Sequence, residues 1–178
     1  MAAVLKAASA PTRADFHDAI SRRSNCWYSV CLRLTRSRDL AEDAVQDALL
    51  TAWNKRQQFD GSARLETWIH RIVVNAALQL LRKQKPGRQE PLEIDPAGDG
   101  ESPDAARFDA ELGDQLSVAL GHLSEMERTC FVLKHLEEWR LGEIADELGM
   151  NTGAVKQAVF RAVRKLRTHM TGLLDEAR

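Results

Sequence analysis

The sequence predicts an all-α protein of two small helical domains joined by a flexible acidic linker. Three observations carry that expectation. The 178 residues include only 5 Phe, 4 Trp and 1 Tyr, while Ala, Leu, Arg, Glu and Asp dominate. This balance favours helices, because strands draw on β-branched and aromatic side chains. Apolar residues recur at helical spacing on both sides of the middle of the chain. Between Pro86 and Pro103 the stretch PGRQEPLEIDPAGDGESP is dense in proline, glycine and acid, a composition that cannot easily pack a core. The expected boundaries are a disordered tail over 1–11, a front module over 12–86, the acidic linker over 87–107 and a rear module over 108–178.

In the front module the first helix starts near Thr12, where Phe16, Ile20, Trp27, Val30, Cys31 and Leu34 give an apolar stripe. A break follows at TRSRD. DLAEDAVQDALLTAW then reads as a second helix, with Asp39 as its N-cap. Leu40, Ala44, Val45, Ala48, Leu49, Ala52 and Trp53 share its inner face, and Asp39, Glu42, Asp43, Gln46 and Asp47 decorate the other. The polar turn NKRQQFDGSARLE leads to a third helix from about Thr67 to Lys85. Its apolar set includes Trp68, Ile69, Ile72, Val73, Ala76, Leu80 and Leu81, and Arg71, Arg82, Lys83 and Lys85 form a basic edge.

The rear module opens at SPDAARF, where Ser102 can cap, Pro103 suits the first helical position and Asp104 favours the positive helix end. Leu112, Leu116, Ala119, Leu120 and Leu123 continue its inward face. A helix over Ser124 to Leu136 carries Met126, Cys130, Phe131 and Leu133. Leu141, Ile144, Ala145 and Leu148 define a short amphipathic helix that Gly149 can end in the left-handed conformation. Asn151 or Thr152 caps the next, where Val155, Val159, Ala162 and Leu166 face inward. Helix, glycine-containing turn and capped helix make a helix-turn-helix pattern, which an ordinary helical hairpin would also show.

The outer face of that last helix bears Lys156, Gln157, Phe160, Arg161, Arg164, Lys165 and Arg167, with no acid between Thr152 and Gly172. An exposed Phe among cations has little folding rationale. Against DNA it can touch a thymine methyl or a sugar while Arg161 reaches phosphate or a base edge. Charge is segregated along the chain despite a formal net charge of −1. Residues 1–90 hold 15 basic and 9 acidic side chains, 91–127 hold 1 and 10, and 128–178 hold 9 and 7. Two DNA-facing modules with an acidic connector would look like this, as would a chance clustering of solvated charge.

Other chemistry finds little support. Asp39, Asp43 and Asp47 stack one turn apart, but no nucleophile, histidine or glycine-rich phosphate loop accompanies them, so they read as a solvated face or a docking surface and not as a catalytic site. The 3 cysteines, Cys26, Cys31 and Cys130, lack C-x-x-C spacing and the 5 histidines lack ligand spacing. Reduced thiols in a cytoplasmic protein are expected, with no metal and no cofactor. No apolar run nears the roughly 20 residues that span a bilayer, and MAAVLKAASA is too short in its apolar part for a signal peptide. Asn75, beside the cations of the third helix, could hydrogen-bond an unstacked base.

Taken together, RDLAEDAVQDALLTAW, ETWIHRIVVNAALQLLRKQKP and LSEMERTCFVLKHLEEWRLGEIADELGMNTGAVKQAVFRAVRKLR resemble, in order and spacing, the extracytoplasmic-function (group four) sigma factors of the sigma-70 family. The resemblance runs from about Phe16 to Leu166. It implies that the front module is sigma region 2, a four-helix domain, and the rear module sigma region 4. Asp39, Glu42, Asp43 and Gln46 would then bind core RNA polymerase, whose β′ clamp helices and β flap are the implied docking points. Phe59, Gly61, Ser62, Arg71, Asn75, Arg82 and Lys83 would engage the melted −10 element. Thr152, Lys156, Gln157, Phe160, Arg161 and Lys165 would engage the −35 element in promoter DNA. An anti-sigma factor acting in trans is the implied control, since the sequence carries no appended regulatory domain.

The chain departs from the family pattern at Ala154, Gln157 and Ala158, where Thr, Ser and Arg are usual, and at Val163, where Arg is usual. Two habitual DNA contacts are missing on that reading, which bears on the upstream sequence preferred. The expected function is an alternative sigma factor without chemistry of its own. The competing expectation is a stand-alone helix-turn-helix regulator, which would have no use for an acidic docking helix ahead of a base-capture loop.

Overall fold

A computed structural model describes residues 10–84 and 116–176. Nearly all of the expected tail, the whole linker, the start signal at Ser102 to Asp104 and Leu112 lie outside the described residues. The chain divides into two compact units, Met1–Glu93 and Ile94–Arg178.

In the first unit, helices α1 (Arg13–Thr35), α2 (Arg38–Asn54) and α3 (Leu65–Lys83) each pack on the other two. The resemblance implied four helices. The described residues of this unit hold three α-helices and a single 3-10 turn, Arg56–Gln58. A capping box starts α1: the Asp15 backbone N–H donates to Thr12 Oγ1 at 3.3 Å, and the Thr12 N–H donates to Asp15 Oδ2 at 2.7 Å. Arg36, at φ 55°, ends the helix in the left-handed region. The N-cap of α2 is Ser37 and not Asp39. Ser37 is extended at φ −136° and accepts the Leu40 N–H, which leaves Asp39 as an acid in the first turn.

The core of this unit is asymmetric. From α1 come Phe16, Trp27, Val30, Cys31 and Leu34, and from α3 Ile69, Val73, Val74, Leu78 and Leu81. The fully buried side chains of α2 are all alanine: Ala41, Ala44, Ala48 and Ala52. They recur at i, i+3, i+7 and i+11, one narrow stripe that lets its neighbours approach closely, since interhelix distance follows the side chains at the contact. Leu40, Val45, Leu49 and Trp53, expected inside, sit at the margin, half-buried. Trp53 there meets the Phe16 ring edge-on at 5.2 Å and carries the Arg56 guanidinium 4.2 Å above its own ring.

The second unit, over its described residues, comprises α4 (116–121), α5 (Glu125–Phe131), a π-helical turn (Val132–Leu136), α6 (Leu141–Leu148) and α7 (Thr152–Glu176). The single helix expected over 124–136 is thus α5 with a widened last turn. The Glu137 N–H reaches back to Val132 O at 3.0 Å and the Trp139 N–H to Leu133 O at 2.9 Å. Glu138 follows at φ 57°, and the reversal buries Trp139. Gly149, at φ 63° and ψ 36°, then closes α6, and the Met150 N–H bonds to Ala145 O at 2.9 Å. Asn151 is the cap of α7: its Oδ1 accepts the Ala154 N–H at 2.8 Å, and Thr152 is the first helical residue. Val155, Ala158, Ala162 and Leu166 form the buried stripe of α7, and Val159 is only half-buried.

Candidate nucleic-acid interface

On α7 the buried stripe leaves Thr152, Lys156, Gln157, Phe160, Arg161 and Lys165 exposed. Phe160 is 64 % exposed, an apolar ring among cations that the described residues leave uncovered. Of the four departures noted in the sequence, Ala158 is not on this face, since it is fully buried, and Val163 is half-buried. Ala154 is half-buried, and Gln157 alone is fully at the surface.

Two of the cations are tied down. Glu127 of α5 accepts from Lys165 Nζ at 2.7 Å through Oε2 and from Arg161 Nε at 3.3 Å through Oε1. The same carboxylate accepts the Ser124 N–H at 3.0 Å, while the Glu127 N–H donates to Ser124 Oγ, completing a capping box. Only 4 % of Glu127 is exposed. Burial opposes its ionisation, yet the bonds from Lys165 and Ser124 outweigh that and hold the carboxyl below its ordinary range. Sequence reading missed Glu127 as a site residue. Its local signal, S-x-x-E, marks a helix start and says nothing of α7. Nearby, burial pushes the Cys130 thiol up to about 11 against the opposing charge of Arg161, so this thiol is inert at neutral pH.

The first unit carries a second set. Trp68, Arg71, Asn75, Arg82 and Lys83 fall on one side of α3 by their spacing. The loop before α3 folds over its start: Phe59 leans on Trp68 with ring centroids 5.5 Å apart. Gly61 has φ 72°, and the Ser62 N–H donates to Asp60 Oδ1 at 2.9 Å, an Asx turn. Glu66, bridged to Arg64 at 3.5 Å and to Arg22 of α1 at 3.7 Å, pins the loop's far end. Half-buried Asn75 has an Oδ1 that is shielded from solvent and has no hydrogen-bond partner among the described residues. A shielded acceptor left unpaired costs free energy and calls for an explanation.

The third set is acidic. Asp39, Glu42, Asp43 and Gln46 are all exposed along α2. Past them, Asp47 and Thr51 of α2 and Gln79 and Lys83 of α3 line a groove of about 210 Å³, beside which Leu50 is 63 % exposed. Among the described residues no cluster of three or more His, Cys, Asp or Glu could hold a metal ion, and no helix is long and apolar enough to cross a membrane.

Residues 20–86 match the family model described as Sigma-70 region 2, and residues 113–166 that described as Sigma-70, region 4. An extracytoplasmic-function (ECF) RNA polymerase sigma factor, SigM of Mycobacterium tuberculosis, is 32 % identical over 151 residues, covering 84 % of this chain and 74 % of the relative. The chain belongs to the ECF sigma factors of the sigma-70 family. The same branch includes SigW of Bacillus subtilis, 29 % identical across 89 % of this ECF chain and 90 % of the relative. SigG of M. tuberculosis is 34 % identical, and there the chain spans 44 % of the relative's length. Among solved structures, the sigma factor RpoE in complex with the anti-sigma factor NepR from Bartonella quintana has a TM-score of 0.59 at 26 % identity, covering 88 % of this chain and 97 % of that one. CnrH in complex with the cytosolic domain of CnrY has a TM-score of 0.52 at 25 % identity, covering 97 % and 95 %.

Proposed function

We propose that the chain is an alternative sigma factor: it binds core RNA polymerase, directs promoter recognition and melting, and is held in check by an anti-sigma factor. The observation that carries this is the pairing, in one family member, of an exposed acidic face in a region 2 unit with an exposed cationic face in a region 4 unit. A DNA reader alone needs only the second. The domains are proposed at 12–86 and 108–178, with 87–107 linking them.

Asp39, Glu42, Asp43 and Gln46 dock on polymerase, as exposed carboxylates suit a basic partner surface. Phe59, Gly61, Ser62, Arg71, Asn75, Arg82 and Lys83 take the melted −10 strand. Unstacking a base costs a few kcal/mol, offset when the base enters a shaped site beside cations. The unpaired Asn75 Oδ1 supports that reading, because an exocyclic amine of a base would satisfy it. Thr152, Lys156, Gln157, Phe160, Arg161 and Lys165 read the −35 element from the major groove. Catalysis of its own has no place in this scheme. The solved relatives bound to anti-sigma factors motivate the proposed control.

Run-off transcription with purified core polymerase on genomic fragments tests the proposal. Discrete transcripts that require both core and this chain are expected. Binding to DNA fragments without core, and no core-dependent transcript, would overturn it in favour of a stand-alone regulator.

A further inference from the structure

Glu127 links two elements that the sequence holds far apart. Its bonds to Arg161 and Lys165 span 34 and 38 residues, joining the start of α5 to the middle of the proposed reading helix. The carboxylate is nearly buried and is fixed by the Ser124 cap, whereas Arg161 is 55 % and Lys165 48 % exposed in their side chains. A rigid acceptor therefore holds Arg161 by its inner Nε and Lys165 by its terminal Nζ, and both side chains stay about half exposed. On Arg161 it takes Nε, which leaves the terminal nitrogens, the pair that matches a guanine edge or a phosphate, at the end of a side chain already held. Free Arg and Lys sample many rotamers and lose that freedom on binding, so holding them beforehand lowers the cost of placing them. The same carboxylate offsets positive charge that would otherwise go to phosphate, where attraction is blind to sequence.

We propose that Glu127 is a positioning residue for upstream promoter reading: it presents Arg161 and Lys165 in a set geometry and trims their sequence-independent attraction to DNA. This rests on α7 being the −35 reader. It gives a residue of α5, which itself need not touch DNA, a part in promoter choice.

The test uses holoenzyme, the full chain with core polymerase, on a promoter fragment recovered by the run-off experiment and on the same fragment with its upstream element scrambled. Binding is measured across a salt series. Glu127→Gln keeps the capping box, since Gln serves at that position, but removes the charge. It should bind the scrambled fragment more tightly than wild type does. Discrimination between the fragments should fall about tenfold, and the plot of log affinity against log salt should steepen by about one unit. A residue serving stability alone would lower the melting temperature and leave both the discrimination and the slope at wild-type values, which would overturn the proposal. If Glu127→Gln melts early, Glu127→Asp serves instead: it keeps the charge but shortens the reach. Its discrimination should fall with the slope unchanged, and wild-type discrimination there would equally overturn the idea. Arg161→Ala and Lys165→Ala separate the two levels. If neither changes binding to either fragment, the reading of α7 itself fails. If they weaken cognate binding while Glu127→Gln behaves as wild type, only the positioning role fails.

Discussion

The ring of Phe59 rests on that of Trp68 at a centroid distance of 5.5 Å and an angle of 58°, closing the loop ahead of α3 onto the helix that carries Asn75. Phe59 is half-buried, so Phe59→Ala should cost about 1 kcal/mol of stability, less than a core truncation. Its effect on promoter opening should be larger than that loss explains. Permanganate reactivity of melted thymines, compared with the melting temperature of the same variant, checks this. Loss of opening no greater than the loss of folded protein would remove the loop from the site.

Asn75→Leu should separate stability from function. Removing a shielded, unpaired acceptor relieves a desolvation cost, so the melting temperature should hold or rise. Open-complex formation should fall by roughly tenfold or more while binding to duplex promoter changes little, given the 1–3 kcal/mol range of a base contact. A fall in melting temperature together with normal opening would show that Oδ1 serves the fold.

Asp43→Arg reverses the charge on an exposed position of α2. Surface changes of this kind alter stability by about 0.5 kcal/mol or less, so the circular dichroism melt should match wild type. Capture of purified core polymerase should drop at least about tenfold. Undiminished capture would move the docking face elsewhere.

Ala48→Leu adds three carbons at a fully buried point of the α2 stripe. Overpacking of this kind costs about 1–3 kcal/mol or more. Ala158→Leu should do the same in the second unit. Denaturant midpoints measure both, and tolerance at either position would mean that the stripe is looser than its burial indicates.

The Glu127 carboxyl titrates below its ordinary 4.5 in the folded chain. The sign follows: the group adds stability above the unfolded value, and that stability is lost as pH falls through the lower folded value. Melting temperature measured from about pH 6 to about pH 3 should fall less steeply in Glu127→Gln than in wild type. Parallel curves would mean that the ion pairs contribute nothing to folding.

Local signals proved the most legible. Gly149 as the end of α6, Asn151 as one of two candidate caps and the outward set on α7 all follow from residue type and spacing within a few positions. The cap of α2 was misplaced at Asp39, because Asp39 is a competent capping residue only two positions past the true cap, Ser37. The backbone bend after Arg36 decided for Ser37. Ala158 and Val159 were misassigned because hydrophobicity favours valine, whereas the 3-4-4 spacing of the true stripe selects the smaller residue. The π turn after α5 and the grip of Glu127 on α7 depend on how helices pack across more than thirty residues, and periodicity within one helix holds no record of its neighbour.

Ala158 also bears on how the reading helix can be redesigned. Its burial divides α7 into two registers that share no residue. Val155, Ala158, Ala162 and Leu166 spell the packing, and Lys156, Gln157, Phe160 and Arg161 spell the outward message. Letters in the second can be rewritten without re-solving the first. Of the unusual residues on this helix, Gln157 is the one an engineer could exchange as a word in that message, because Ala158 belongs to the grammar of the core.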